Sequence, residues 1–424
     1  MSVTTDTARS AGWATLLRSD VVENVGSVRV LEFLAGLLLF TANQSTPFVS
    51  TPLPISYLAV VGLVGVAAFR RPQIDLRPIG WMPWAFGLLL VYLAVVSALA
   101  DPTEYAGDWK RRLIRLALVT LLVFCLATNR VDLASLLKGI GAGLMANVVL
   151  YYAGLAPDNY PGFLTGFLND KNQAGLAYAV YGLLMLSLVR RSWTRVVVLV
   201  VFAVLLFLTG SRTSMAGFAV GVIWLVASPR LSNPFRWGLA GVLAYAVWFV
   251  ESHFARIGIF ANRDETDWFR AQLEALTQAK LAQAPWQGMG LGEAYVLYGE
   301  GPAAWLQPFY FHSAYASLQV EGGWIYLFVV VGITVLYALR PARRGLMDSR
   351  SAYVEAATVA LLVCGWKLGE VFYTVVWGIV MACALQVWLA ERSAGPQPIR
   401  LPQSRRAIPR GTDEHADAHP VPRA

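Results

Sequence analysis

The chain has 424 residues, 57% of them hydrophobic and only 14% charged, with a mean hydropathy of +0.53. So little polar surface cannot cover a water-soluble globule, which excludes a soluble domain and points to an integral membrane protein. The net charge of +8 is spread over short basic clusters between apolar runs, where it sets topology, and nucleic acid is not an expected partner.

Residues 1–27 are too polar for a secretory signal and read as a cytoplasmic N-terminal segment. Nine apolar runs follow within residues 28–251, from Val28 to Asn43 through Trp237 to Val250. A long extracytoplasmic loop covers 252–310, three further runs lie within 311–391 (Phe311 to Leu339, Ala352 to Leu368, Val371 to Leu389), and 392–424 reads as a disordered, Pro- and Arg-rich cytoplasmic tail. A run of about 20 apolar residues spans hydrocarbon as a helix. The expected fold is therefore all-α and polytopic, with about twelve transmembrane helices and one long outer loop containing short helices. Basic residues fall in every alternate connection: Arg70, Arg71 and Arg77; Arg130; Arg190, Arg191 and Arg195; Arg230 and Arg236; Arg340, Arg343, Arg344 and Arg350; and the tail from Arg392. The positive-inside rule then puts both termini in the cytoplasm. Cys125, Cys364 and Cys383 sit inside apolar runs without metal-ligand or disulfide spacing, so they read as small core residues and no metal site is expected.

In the long loop, "ETDWFRAQLEALTQAKLAQ" places Phe269, Leu273 and Leu276 at helical spacing, as an amphipathic helix lying on the membrane or the bundle. The Pro/Gly-rich return "APWQGMGLG" follows it.

Several cations fall on the outer side, against the topological bias. Arg212 lies in "LTGSRTSMAG", where Gly210 and Ser211 turn the chain between two spans. Lys171 lies in "NDKNQAG"; Arg256, Arg263 and Arg270 lie in the long loop; Lys110, Arg111, Arg112 and Arg115 open the fourth span. Held there against the bias, they suggest an anionic ligand, because arginine matches phosphate oxygens with paired donors and lysine acts as a point charge. The plainer readings are snorkelling for Arg212, an ion pair with Asp170 for Lys171, a helix-surface pair with Glu274 for Arg270, headgroup anchoring for the Lys110 to Arg115 cluster, and a structural pair for Lys367 with Glu370.

Of the four histidines, His415 and His419 lie in the tail and His253 reads as interfacial. His312 opens the tenth span, directly after the long loop. On a helix, Gln319 would lie roughly 20° from it, and Glu321 would point to the opposite side. An imidazole there can take a proton from a hydroxyl near neutral pH.

Four stretches in order, "GFLNDKNQAG", "LTGSRTSMAG", an arginine followed by "PWQGMGLG", and "HSAYASLQVEGG", resemble the O-antigen ligase and polysaccharide polymerase superfamily over roughly residues 160–325. Ser313 stands where many members of that family have Asn, and Glu274 where many have Trp. The resemblance implies a polytopic glycosyltransferase that moves a glycan from an undecaprenyl-diphosphate carrier to a hydroxyl on a polysaccharide or on the lipid A core. It makes His312, Arg212 and Arg270 the expected catalytic residues. Lys171, Asn172, Arg263 and Gln319 are the expected contacts to diphosphate or glycan. No cofactor is expected. The lipid bilayer, and a chain-length regulator or flippase, are the expected partners. The "KNQAG" form is similar to the polymerase branch; an O-antigen ligase and a twelve-helix transporter or flippase stand as alternatives.

Overall fold

The computed structural model describes residues 28–40, 54–254, 264–299, 306–339 and 349–393. The N-terminal segment, Arg256, Arg263, the basic run from Arg340 to Arg344 and the tail with His415 and His419 lie outside the described residues, as does the side chain of His253.

Thirteen α-helices are present among the described residues: α1 (Val30–Leu38), α2 (Ile55–Ala68), α3 (Trp81–Leu99), α4 (Trp109–Ala127), α5 (Leu133–Tyr152), α6 (Lys171–Met185), α7 (Ser192–Thr209), α8 (Arg212–Ala227), α9 (Asn233–Phe254), α10 (Asp264–Gln283), α11 (Ala314–Ala338), α12 (Ser349–Lys367) and α13 (Val375–Ser393). Each apolar run of the sequence contains a helix among the described residues, and "ETDWFRAQLEALTQAKLAQ" is helical as α10. Five helices, α3, α5, α7, α11 and α13 as far as Arg392, are long and apolar enough to cross a membrane. The molecule is a mostly helical, membrane-embedded protein. On α3, one stripe (Met82, Phe86, Leu89, Leu93) is buried, while Trp84, Leu88, Val91 and Val95 are exposed and equally apolar. A helix that is apolar on its outward face has lipid as its solvent.

Helices begin and end where local chemistry dictates. Asp108, Asp132 and Asp170 each accept backbone N–H bonds at the starts of α4, α5 and α6, which satisfies donors that the helix itself cannot. Gly210, at φ +65°, ends α7 in the left-handed conformation and lets α8 begin two residues later. Small residues set the tightest helix pairs. A Cβ on Gly139 would meet Phe33 O of α1 at 2.0 Å, and Cβ atoms on Gly217 and Gly221 would meet Ala360 O and Ala356 O of α12 at 2.9 and 2.8 Å. Backbone therefore lies against backbone in the α1/α5 and α8/α12 pairs, as small-residue stripes allow in membranes.

Two features depart from the expectation. The tenth span is not one continuous helix: Gly322 (φ −133°, ψ 19°) and Gly323 (φ 64°, ψ −163°) break α11 one-third of the way along. The loop return is also not purely helical, because β1 (Tyr295–Tyr298) and β2 (Gln307–Tyr310) form an antiparallel hairpin with Tyr295 opposite Tyr310. These two features belong together. Residues 284–292 thread against the break, where Met289 N–H donates to Val320 O (2.7 Å), Gly290 N–H to Glu321 O (3.0 Å) and Trp324 N–H to Trp286 O (3.0 Å). The loop thus takes up backbone groups that the break releases, as interior membrane proteins require. Phe269 of α10 packs edge-on against Tyr298 and Phe309 of the hairpin, each at 5.1 Å, and Leu273 is buried beneath. Leu276 is exposed, so the apolar stripe of α10 continues through Thr277 instead.

Candidate functional site

The N-terminal ends of α4, α6 and α11 meet at one end of the bundle and enclose a cavity of about 540 Å³. Its walls include Asp108, Arg112 and Arg115 from the start of α4; Asp170, Asn172 and Gln173 from the start of α6; His312, Ser317 and Glu321 around α11; Lys367 at the end of α12 and Glu370 after it. Helix N-termini carry partial positive charge, which favours anions in the space between them. A narrow extension shared by Arg112, Arg115 and Glu370 reaches Tyr57, Tyr326 and Tyr373.

At its floor, Arg112 is held by two carboxylates: its Nε lies 2.8 Å from Glu321 Oε1 and its Nη1 2.7 Å from Glu370 Oε1. Glu321 is buried and also accepts the Gly292 N–H at 3.0 Å. Arg112 and Glu321 together thereby tie α4, the break in α11, the glycine-rich return and the α12–α13 link to one another. The Arg112 guanidinium, with a smaller contribution from Arg115, holds the Glu370 carboxyl below the usual carboxylate range.

His312 precedes α11, whose first turn is capped by Ser313 accepting from Ala316 N–H. The imidazole is exposed to the cavity yet crowded by its surroundings. Burial first, and then the charges of Arg270 and Lys367, lower its pKa from the ordinary histidine value, with Asp170 and Glu274 opposing. Near pH 7 it is neutral, the form that accepts a proton.

The expected site residues divide into three groups. His312 and Asn172 line the cavity, and Arg270, exposed on α10, lies beside His312 and faces Tyr160. Arg212 and Lys171 are half-buried at the starts of α8 and α6 and do not line the cavity. Arg212 follows Ser211, whose Oγ lies 3.4 Å from Asn172 Oδ1, and Lys171 sits over the rings of Tyr160 (5.6 Å) and Phe163 (5.3 Å). Gln319 is half-buried and away from the cavity, and Arg263 lies outside the described residues.

Several expected pairings are corrected. Glu274 pairs with Lys367 Nζ at 2.8 Å and not with Arg270, and Glu370 pairs with Arg112 and not with Lys367. Glu321 does not point away from His312; both line the same space, because His312 is outside the helix whose phase separated them. At the other end of the bundle, Arg70 of the α2–α3 link pairs with Glu32, and Arg236 of α9 pairs with Glu355 and is buried. These arginines neutralise acids inside the protein in addition to marking a basic connection.

Beside the polar cavity lies an apolar groove of about 530 Å³ between α8, α9, α11 and α12, lined by Leu243, Val247, Tyr315, Leu362 and Trp366 among others. Ser313, next in sequence to His312, is part of its wall.

No family model matches the chain, and no curated protein matches it significantly. The residues that sequence reasoning passed over are Glu321 and Glu370 as partners of Arg112. For Glu321 the one local signal was the "EGG" of the tenth span, since an acid followed by two glycines marks a helix that something else must complete; Glu370 had none.

Proposed function

We propose that the chain is a membrane glycosyltransferase that moves a glycan from an undecaprenyl-diphosphate carrier to a sugar hydroxyl, polymerising surface polysaccharide repeat units. The observation that supports this most directly is that consecutive residues, His312 and Ser313, line two different cavities. A polar cavity among helix N-termini and an apolar groove together suit a substrate with an anionic head and a long hydrocarbon tail. The order of sequence motifs supports the same reading.

In this scheme the acceptor hydroxyl oxygen attacks the anomeric carbon, and the bond from that carbon to the diphosphate oxygen breaks with inversion. Undecaprenyl diphosphate leaves with the electron pair, and His312 takes the hydroxyl proton. Cationic groups and helix N-termini stabilise the charge that develops on the leaving oxygen, in the role that a metal fills elsewhere. Twelve crossings, both termini in the cytoplasm of a bacterial cell and the cavity facing the periplasm complete the proposal.

The test is transfer in proteoliposomes from undecaprenyl-diphosphate-linked repeat units. His312→Ala abolishes polymer formation at unchanged yield of folded protein; normal turnover by this variant overturns the role of His312, and absence of transfer by the wild type overturns the reaction. A deletion strain separates polymerase from ligase, since loss of long chains with single units retained marks a polymerase and loss of all attached glycan marks a ligase. The broken α11 with a buried ion pair at the break favours a second reading, a transporter or flippase, which predicts movement of the lipid-linked glycan without any new glycosidic bond.

A further inference from the structure

The cluster at the start of α4 splits by helical phase. Ile114 and Leu121 are exposed and apolar on one side, and Arg111, also on that side, pairs with Asp108 at 3.2 Å. Arg112 and Arg115, three residues apart, lie on the other side with the buried Leu116 and Val119, which turns both guanidinium groups into the protein. The two differ in what they meet there. Arg112 is satisfied by Glu321 and Glu370. Arg115 has no carboxylate within 4.0 Å among the described residues and faces the Tyr57 hydroxyl, while it lines both the main cavity and its narrow extension.

A half-buried guanidinium at the end of a membrane helix is costly without a counter-charge. Arg112 meets two carboxylates directly, whereas Arg115 feels Glu370 only from beyond 4.0 Å and is open toward a chamber that also holds the imidazole. We infer that Arg115 binds the anionic head of the lipid-linked substrate, a diphosphate, through paired N–H donors from the floor of the cavity, with Tyr57 fixing the guanidinium plane. Arg270 approaches the same space from the loop side. This inference rests on the glycosyltransferase reading and names the residue that gives its site preference for a diphosphate over an uncharged polyprenol.

The experiment measures binding of undecaprenyl diphosphate and of undecaprenol to the purified full-length chain in lipid nanodiscs. The wild type binds the diphosphate at least tenfold more tightly than the alcohol. Arg115→Gln removes that preference and leaves the affinity for undecaprenol unchanged. Arg115→Lys keeps the charge but loses the fork, and falls severalfold short of the wild type; it carries the test alone if Arg115→Gln does not fold. Wild-type preference in either folded variant overturns the assignment of Arg115 and leaves the proposed reaction standing. A wild-type chain that binds both lipids equally overturns the proposed reaction and this inference with it.

Discussion

Arg112 Nε lies 2.8 Å from Glu321 Oε1, joining α4 to the point where α11 breaks. Glu321 is buried, whereas the second partner, Glu370, is about half exposed at 51%, so the two halves of the clamp differ in weight. Breaking a buried pair strands a charge and costs about 3–5 kcal/mol, while an exposed pair contributes about 0–1 kcal/mol. Glu321→Ala, which also leaves the Gly292 N–H without its acceptor, therefore lowers the melting temperature of the detergent-purified protein sharply. Glu370→Gln shifts it little. Equal shifts for the two would show that burial does not set the strength of this clamp.

On the proposed reaction, the rate of transfer is expected to follow the protonation of His312. Its lowered pKa places the acidic limb of the kcat/KM profile below the ordinary histidine value of about 6.5, with rate rising as pH increases through it. The charges facing the imidazole are Arg270 and Glu274 from α10, Asp170 at the start of α6 and Lys367 at the end of α12. Removing a positive neighbour favours the imidazolium, so Arg270→Gln moves the limb to higher pH. Glu274→Gln moves it to lower pH. A profile that stays in place in both variants excludes His312 as the titrating group.

Gly323 sits at φ 64° and ψ −163°, a region open to glycine alone, and a Cβ there would lie 1.9 Å from Trp286 O. Gly323→Ala forces the return segment off the break and costs about 1–3 kcal/mol from backbone strain alone. Limited proteolysis then cuts within residues 284–292, and transfer is lost. Gly332, farther along the same helix, has nothing within 4 Å of its Cβ position, so Gly332→Ala leaves both readouts as in the wild type.

Glu293 joins two connections that are far apart in sequence. It accepts from Thr103 N–H at 2.9 Å and pairs with Lys280 Nζ at 3.3 Å, and Lys280 in turn donates to Tyr295 O at 3.0 Å. Burial lowers the Lys280 pKa and Glu293 opposes that effect, so Glu293→Ala leaves a poorly compensated amine. Hydrogen exchange should speed up at residues 101–107 and 295–298 together. Faster exchange at one segment only would mean that Glu293 does not couple them.

The helices were legible because lipid solvent writes long apolar runs into a sequence, and capping residues such as Asp170 and the Gly210 turn mark their ends. His312 and Asn172, which line the cavity, could be found in the sequence because each lies at the start of an apolar run, His312 just before a helix and Asn172 in its first turn. The partners of Arg112 were not, since Glu321 and Glu370 lie 209 and 258 residues away in sequence and no local periodicity relates them. Helical phase misplaced Glu321 because it was applied to His312, which precedes the helix. Gln319 was placed by the same phase and does not line the cavity. The hairpin was hidden because its strands are only four residues each, too short for an alternating pattern to stand out from aromatic loop sequence.

The glycine contacts between α8 and α12 bear on how the chamber can open. Gly217 and Gly221 set the backbones of these helices against each other with no side-chain layer to slide or repack. The two helices form one stiff slab, with Arg212 at the upper corner of α8 and Lys367 at that of α12. Any widening of the chamber would therefore come from the opposite side, where α10 meets the slab through the surface pair of Glu274 with Lys367, a contact weak enough to release in salt.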